Sequence, residues 1–562
     1  MDDQLTQLKR KSEERDAQRI AEELGLKYLD LRKAPVEIEA IKKIDESEAR
    51  EAKIVATQVA GKKLLVITHD TRNKKADEII KKLQKEGFIV EVKIGSLSGL
   101  AHVWQSYVYA PKEEHQLEGI FKIDKQKFGN LKSKLKNVDF VKKEVLAFDI
   151  KTAKTAEVLE VIFSGALVNR ASDVHFEPEE EGVRLRYRID GLLNDVLINL
   201  SKDLYHLMVS RLKVLSRIKL NITDRPQDGR FTIDIEDASL PFGAAQKEFE
   251  VRASFVPSEF GETIVLRLLY QETIEISMKN LGFRDDDLKI VQEELKKPNG
   301  MILNTGPTGS GKTTTLYAFL KAKQDPSLKI ITIEKPIEYH LPGIEQTQVH
   351  EETGYDFAAA LKSALRQDPD IILVGEINSQ DTAEVALQAA LTGHLVFSTV
   401  HANSATAAIP RLLDLGIKPV SIGPAINLII AQRLVRKLCD ECKKPVKLDE
   451  KQLLHIKKFL SRLPKRVSKI KTDEVSVYEP HGCDACGGSG YKGRIGIFEL
   501  FLVDEMVEKA TNETPTEAEF VKIAEKQGMT TAQEDGIIKV LSGVTTFKEV
   551  EVLTGPIRWD HE

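Results

Sequence analysis

Gly306-Pro307-Thr308-Gly309-Ser310-Gly311-Lys312-Thr313 fits the pattern G-x-x-x-x-G-K-[ST] without a mismatch. Ahead of it, Gly300-Met301-Ile302-Leu303-Asn304-Thr305 is short and apolar, as a buried strand would be, and Thr314 to Lys323 has the pattern of a helix. A strand that enters a glycine-rich turn opening a helix aims several backbone N–H groups at one point, where they and the helix N-terminus can hold a polyphosphate. Gly306, Pro307, Thr308, Gly309, Ser310, Gly311, Lys312, Thr313 and Thr314 are therefore the expected nucleotide cradle. Lys312 should reach the β and γ phosphates of ATP, and Thr313 should ligate Mg2+.

Outward from this turn, further apolar runs at Ile330–Ile333, Ile371–Val374 and Leu395–Ser398 alternate with helical stretches, which predicts a mostly parallel sheet in an α/β domain. That domain is expected to start near residue 276 and run to 562, with a helical tail from Ala431 onward. At 562 residues the chain should hold several domains. Hydrophobic residues make up 41% and charged residues 30%, an ordinary soluble composition, and the net charge of -5 gives no global reason to expect nucleic acid. No apolar run reaches the roughly 18 to 20 residues that span a bilayer, and the polar start Met1-Asp2-Asp3-Gln4 is unlike a secretory signal, so a cytoplasmic location is expected.

Upstream, Leu5–Leu24 reads as a charged peripheral helix. Ile54–Ala56 and Leu64–Ile67 flank Gly61-Lys62 like two strands joined by a tight turn; an amphipathic helix over Asp70–Gly87 and a strand at Phe88–Val92 follow. Residues 1–110 thus suggest a small α/β docking domain. Residues 111–144, rich in Lys, Glu and Asp, suggest a solvated linker or a loosely held helix. A second, α+β domain is expected over 145–275, with a helix at Ala153–Asn169 and strands at Val183–Arg188, Glu248–Arg252 and Thr263–Leu269. Strand alternation puts Arg184, Arg186 and Arg188 on one face, either solvated or lining something anionic.

Hydrolysis of ATP needs a metal on the β and γ oxygens, a group that orients water, and positive charge for the transition state. Asp368 to Glu376 is an apolar strand ending in a carboxylate, and Glu376 at its C-terminal end is the candidate for the Mg2+ side. Glu334 and Glu338, in Thr332-Ile333-Glu334-Lys335-Pro336-Ile337-Glu338-Tyr339, are both candidates to polarise water. His394 and His401 flank a strand and could sense the γ-phosphate, bridge subunits, or serve only as hydrogen-bonded structure. Four cysteines in two C-x-x-C pairs, Cys439/Cys442 and Cys483/Cys486, suit a closed structural Zn2+ site in a subdomain over 439–486.

Together with Ala171-Ser172-Asp173-Val174-His175-Phe176-Glu177-Pro178, Arg188-Ile189-Asp190-Gly191, Pro226-Gln227-Asp228-Gly229-Arg230, Ala431-Gln432-Arg433-Leu434-Val435-Arg436 and Gly493-Arg494-Ile495-Gly496, these motifs resemble the type II/IV secretion ATPase family, especially its pilus-assembly and type II secretion branches. The resemblance covers about residue 150 to the C-terminus. It implies a RecA-like P-loop domain preceded by a PAS-like domain. It further implies Glu338 as the catalytic glutamate, Glu376 as the Walker B glutamate, His394 and His401 as the histidine box, and Arg252 and Arg267 as arginine fingers on the phosphates. A homo-hexamer on the cytoplasmic face of the inner membrane is implied as well, gripping a platform membrane protein and driving pilin or secretion. Lys335 stands where the family usually has Asp, and Asn378-Ser379 where it usually has Arg-Asp, departures that could slow hydrolysis. A retraction ATPase, a DNA-transfer ATPase and a nucleotide-gated scaffold with little turnover are the alternatives.

Overall fold

A computed structural model describes residues 2–105, 107, 119–148, 154–235, 248–270, 277–467, 475–513 and 515–559. The chain folds into two compact units, Met1–Leu269 and Tyr270–Glu562, each with mixed α/β structure. Among the described residues no helix is long and apolar enough to cross a membrane.

The first unit opens with a helix over Asp2–Glu23 and a small sheet of β1 (Ile54–Ala60), β2 (Lys63–Thr68) and β3 (Ile89–Ile94). β1 and β2 form a hairpin, while β3 lies parallel to β2 after the helix Lys74–Lys85. A larger sheet follows, built from β4 (Ile120–Ile123), β5 (Ala171–Pro178), β6 (Val183–Ile189), β7 (Leu192–Leu200), β8 (Gln227–Ile235), β9 (Glu248–Ser258) and β10 (Gly261–Leu269), in the order β4-β8-β9-β10-β5-β6-β7.

The charged stretch over 111–144, expected to be a solvated linker or a loosely held helix, holds a strand and two helices where it is described; residues 111–118 lie outside the described set. β4 adds to the large sheet parallel to β8, and helices Lys125–Lys134 and Val138–Leu146 follow. The apolar residues there are few, but they fall on inward positions. Phe121, Ile123, Phe128, Leu135, Val141 and Val145 are all buried, and Phe121 meets Phe163 edge-on with ring centres 5.0 Å apart. Asp124 and Asn137 cap the two helices through side-chain acceptors, so each starts cleanly despite its charge.

The second unit is organised on one sheet containing β11 (Gly300–Thr305), β12 (Ile330–Glu334), β13 (Glu345–Gln348), β14 (Ile371–Val374), β15 (Leu395–Val400), β16 (Ile426–Leu438) and, beyond the short pair β17 (Lys444–Pro445) and β18 (Tyr478–Glu479), β19 (Tyr491–Leu502). The order is β13-β12-β14-β15-β11-β16-β19, parallel except for β19 at the edge. Every residue of β11, β14 and β15 is buried, as expected for strands covered on both faces. Met301 and Leu303 pack on one side with Ile333, Val374 and Val396, while Ile302 packs on the other with Leu316, Phe319 and Phe397.

The helical tail expected from Ala431 is corrected by β16 and β19, which pair antiparallel over most of their length. Leu428, Ile429 and Ile430 lie in a continuous buried run beside β11, and pairing with a central strand outweighs the helix-like spacing of the charges. The helix Glu450–Arg462 lies between the two strands, and helices Glu505–Glu513, Glu517–Gln527, Ala532–Leu541 and Phe547–Thr554 follow β19.

A buried ion network ties these last helices to the start of the unit. Asp535 accepts from Arg284 at 2.7 Å, from Lys539 at 2.5 Å and from the backbone N–H of Phe498 at 2.9 Å. Arg466 reaches Asp286 at 2.5 Å and Asp287 at 2.6 Å. Asp535→Ala takes the carboxylate from the buried Lys539 and leaves Arg284 with Asp286 and Asp287 alone, and we expect a loss of about 3–5 kcal/mol in stability, read from denaturant unfolding of the full chain.

Candidate nucleotide site and cysteine cluster

β11 delivers the chain to Gly306 at the C-terminal edge of the parallel strands, and the helix Lys312–Lys323 leaves from Gly311. Two glycines are required by space as well as by conformation. At Gly306, with φ 149°, a Cβ would stand 2.5 Å from the Gln432 carbonyl oxygen; at Gly311, with φ 90°, it would stand 2.9 Å from the Gln432 side-chain nitrogen. The turn is thus pressed against β16. Pro307, Thr308, Gly309 and Thr313 are exposed at its mouth, and Thr314 is half-buried on the first turn. The buried Ser310 hydroxyl has no hydrogen-bond partner among the described residues. A buried orphan donor, a cradle that a Cβ would fill and a helix N-terminus together fit an anionic phosphate chain.

Lys312 lies across the mouth and donates to the carbonyl oxygens of Gly306 at 2.7 Å and Pro307 at 3.1 Å. Burial lowers its pKa, Arg433 adds to that, and Glu376 opposes it. Glu376 follows β14 and is held at the same edge. The hydroxyls of Ser398 and Thr399 donate to the carbonyls of Val374 and Gly375, each at 2.7 Å. One Glu376 oxygen accepts from the Asn378 amide at 2.9 Å, and the other faces His401 Nε2 at 4.0 Å. Asn378, a departure by sequence, therefore orients the carboxylate. Lys335, the other departure, pairs with Glu351 at 2.6 Å.

The two candidates for polarising water differ. Glu334, at the end of β12, is 4% exposed and accepts from Thr332 at 2.6 Å, from Gln346 at 3.1 Å and from the Tyr317 hydroxyl. Its oxygens are committed to these donors. Glu338 is half-buried and near enough to Tyr317, on the helix after the turn, to raise the pKa of that phenol together with burial and Glu334. The two histidines are also separated. His401 follows β15 at the cradle edge, whereas His394 precedes it, about 20 Å away at ~3.3 Å per residue, with Nδ1 3.0 Å from the Ala389 carbonyl. The structure does not bring His394 to the cradle.

In the first unit, Arg252 and Arg267 are direct cross-strand partners, and the register extends their row across five strands as Arg230, Arg252, Arg267, Asp173, Arg188. Asp173 takes Arg267 at 2.9 Å and faces Arg188 at 3.6 Å. Like charges placed directly opposite one another are unfavourable, so this row suits an anion. Arg184 and Arg186 pair with Asp195 at 2.8 Å and Glu177 at 2.5 Å.

The four cysteines converge. Cys439 follows β16 directly, and Cys483 to Cys486 form a short turn before β19. The sulfur pairs Cys439–Cys483, Cys442–Cys486 and Cys483–Cys486 are each 3.8 Å apart. Four thiolates at a Zn–S distance of about 2.3 Å in a tetrahedron would stand about 3.8 Å apart, so the cluster fits zinc. Backbone N–H groups of Cys483 and Gly490 point at the Cys486 sulfur, each at 3.2 Å, as suits a thiolate ligand.

With these sites in place, residues 150–552 match the family described as type II/IV secretion system protein. The chain belongs to that family. It is 35% identical over 540 residues to the type IV pilus assembly ATPase PilB of Myxococcus xanthus, covering 96% of this chain and 91% of that one. It is 40% identical over 398 residues to type II secretion system protein E of Pseudomonas aeruginosa, covering 71% of this chain and 75% of that one. Among solved structures, the ATPase DotB of Legionella pneumophila aligns over 72% of this chain and 97% of its own, with a TM-score of 0.50 and 19% identity, a likeness of fold.

Sequence reasoning passed over Gln432 and Arg433, which stand in one of the matching stretches but had been placed in a helix. Gln432 is buried and braces the cradle, its side-chain oxygen accepting from Asn304 at 3.1 Å and Thr315 at 2.9 Å. Arg230 also stands in a matching stretch, and the register places it directly opposite Arg252. For the thiol cluster, metal analysis of the purified chain should find about one zinc per chain, and Cys439→Ser should lose it and melt earlier. A metal-free parent protein would refute the zinc assignment.

Proposed function

We propose that this chain is a motor ATPase that powers type IV pilus assembly, with type II secretion as the close alternative. The observation that carries it is the Lys312 cradle with Glu376 and His401 at the same sheet edge, in a chain whose pilus-assembly relative matches along almost its whole length. The secretion relative matches a smaller share, which favours pilus assembly.

In this reading ATP lies on the Gly306–Thr314 turn, its phosphates facing the backbone N–H groups, Ser310 and Lys312. Thr313 and Glu376 offer the hard oxygen ligands that suit Mg2+, which would neutralise charge on the β and γ oxygens. Asn378 and His401 fix the Glu376 carboxylate from its two sides. Glu338 polarises the attacking water, because Glu334 is already occupied by Tyr317, Thr332 and Gln346. Arg252 and Arg267 bring positive charge to the transition state when their domain closes on nucleotide, and that closure is the mechanical stroke. The working assembly is a hexamer at the cytoplasmic face of the inner membrane, engaged with a platform protein. The small N-terminal domain is its docking module, and the thiol cluster holds structural zinc.

Steady-state hydrolysis should rise in specific activity with protein concentration, as an assembling ring requires. Glu338→Gln should lower kcat at least about a hundredfold, and Arg252→Ala and Arg267→Ala should each do so by about tenfold to a thousandfold. Glu334→Gln should instead act mainly on stability. ATP binding without turnover at every concentration would favour a nucleotide-gated scaffold. In cells, losing the chain should abolish surface filaments; loss of exported enzymes with filaments intact would move the assignment to secretion.

A further inference from the structure

Arg433 stands on the part of β16 that runs past the end of β11. The last pairing of the two strands joins Thr305 to Ala431, so Gln432 and Arg433 flank the glycine-rich turn itself. Gln432 sends its side chain inward to Asn304 and Thr315, and strand alternation sends Arg433 to the opposite face. There the guanidinium donates to the Asn403 carbonyl at 2.7 Å and to the Gln432 carbonyl at 3.4 Å. Both acceptors are neutral. The acid that acts on it through space, Glu499, has its two oxygens taken by the backbone N–H groups of Ala405 at 2.9 Å and Ala532 at 3.0 Å.

The tether that aims Arg433 is itself part of the site. Asn403 lies two residues after His401, in a segment pinned to the end of β11 by Thr305, whose hydroxyl donates to the Ala402 carbonyl at 2.9 Å and accepts from its N–H at 2.8 Å. The Gln432 carbonyl that Arg433 touches is the group Gly306 is pressed against, and Lys312 is bonded to the Gly306 carbonyl. Two half-buried cations thus converge on one turn, and the charge of Arg433 makes that of Lys312 harder to keep. Such a pair is stabilised when an anion arrives between them.

We propose that Arg433 binds the polyphosphate of the nucleotide, as a second cation beside Lys312 supplied by β16 of the same subunit. The assignment rests on the nucleotide reading above and adds a contact that the glycine-rich motif does not contain.

The test is calorimetric binding of ATP, ADP and adenosine to the full-length chain, its Arg433→Ala and Arg433→Gln variants and Lys312→Ala. Arg433→Gln removes the charge while retaining an amide donor on a polar side chain. Both Arg433 variants should weaken ATP by about tenfold or more, ADP by less, and adenosine not at all. An equal loss for all three ligands marks a purely structural residue and overturns the proposal, as does ATP binding by Arg433→Gln at the parent's affinity. If the parent binds no ATP, or Lys312→Ala binds it equally well, the nucleotide reading fails and takes this assignment with it.

Discussion

The second unit is built around a backbone contact at the end of its central strand. Gly306 turns with so little room that a single added carbon would lie 2.5 Å from the Gln432 carbonyl oxygen. A side chain at that position would have to push β16 away from β11, and the strand pair is buried on both faces. The closeness lets one residue of β16 brace the turn on its inner side through Asn304 and Thr315 while the next presents a cation on its outer side. Phosphate recognition here depends on the register of two strands as much as on the motif.

Charge is distributed unevenly over the molecule, and the unevenness carries functional information. Most ion pairs are exposed side chains that contribute little, and in the buried ones around Asp535 and Asp287 each cation faces a carboxylate. Two places break that pattern. At the turn, Lys312 is bonded only to carbonyls and Arg433 likewise. On the sheet of the first unit, Arg230, Arg252 and Arg267 stand side by side in register. Positive charge gathered in one place is costly in a folded protein even where, as at Arg267 with Asp173, a carboxylate offsets part of it, and an anionic ligand is one reason for such a cluster to persist.

What was legible in the sequence followed the range of the interactions involved. The glycine-rich turn and the strands at 300–305, 330–333, 371–374 and 395–398 are written in adjacent residues, because a buried parallel strand is a run of apolar side chains and a phosphate turn needs glycines at fixed spacing. The four cysteines were legible as a set because thiols are rare in this chain. The misreadings came where a distant partner decides the local structure. β16 looked helical beyond Ala431 because its charges recur at mixed spacing, and only β11 on one side and β19 on the other make it a strand. The folded stretch after residue 119 looked like a linker because six buried side chains are sparse among its lysines, although each falls on an inward position. His394 and His401 stand in one motif, yet a six-residue strand separates them to opposite ends of β15.

The same dependence on register gives the cysteine cluster a structural purpose. β16 and β19 form a long antiparallel ribbon at the edge of the sheet, and Leu438, the last residue of β16, is paired with Tyr491, the first of β19. Cys439 comes immediately after that pair, and Cys483 and Cys486 come shortly before it, so the thiols close the open end of the ribbon. Arg436 adds a second closure, bonded to Glu549 at 2.5 Å and lying 4.0 Å over the Tyr491 ring. An unclosed two-stranded ribbon frays and can slip by a residue, and Gln432 and Arg433 lie within this one, paired with Phe498 and Ile497. The thiol cluster, which begins six residues after Arg433, therefore closes the ribbon on which the cradle leans, without being part of the turn itself.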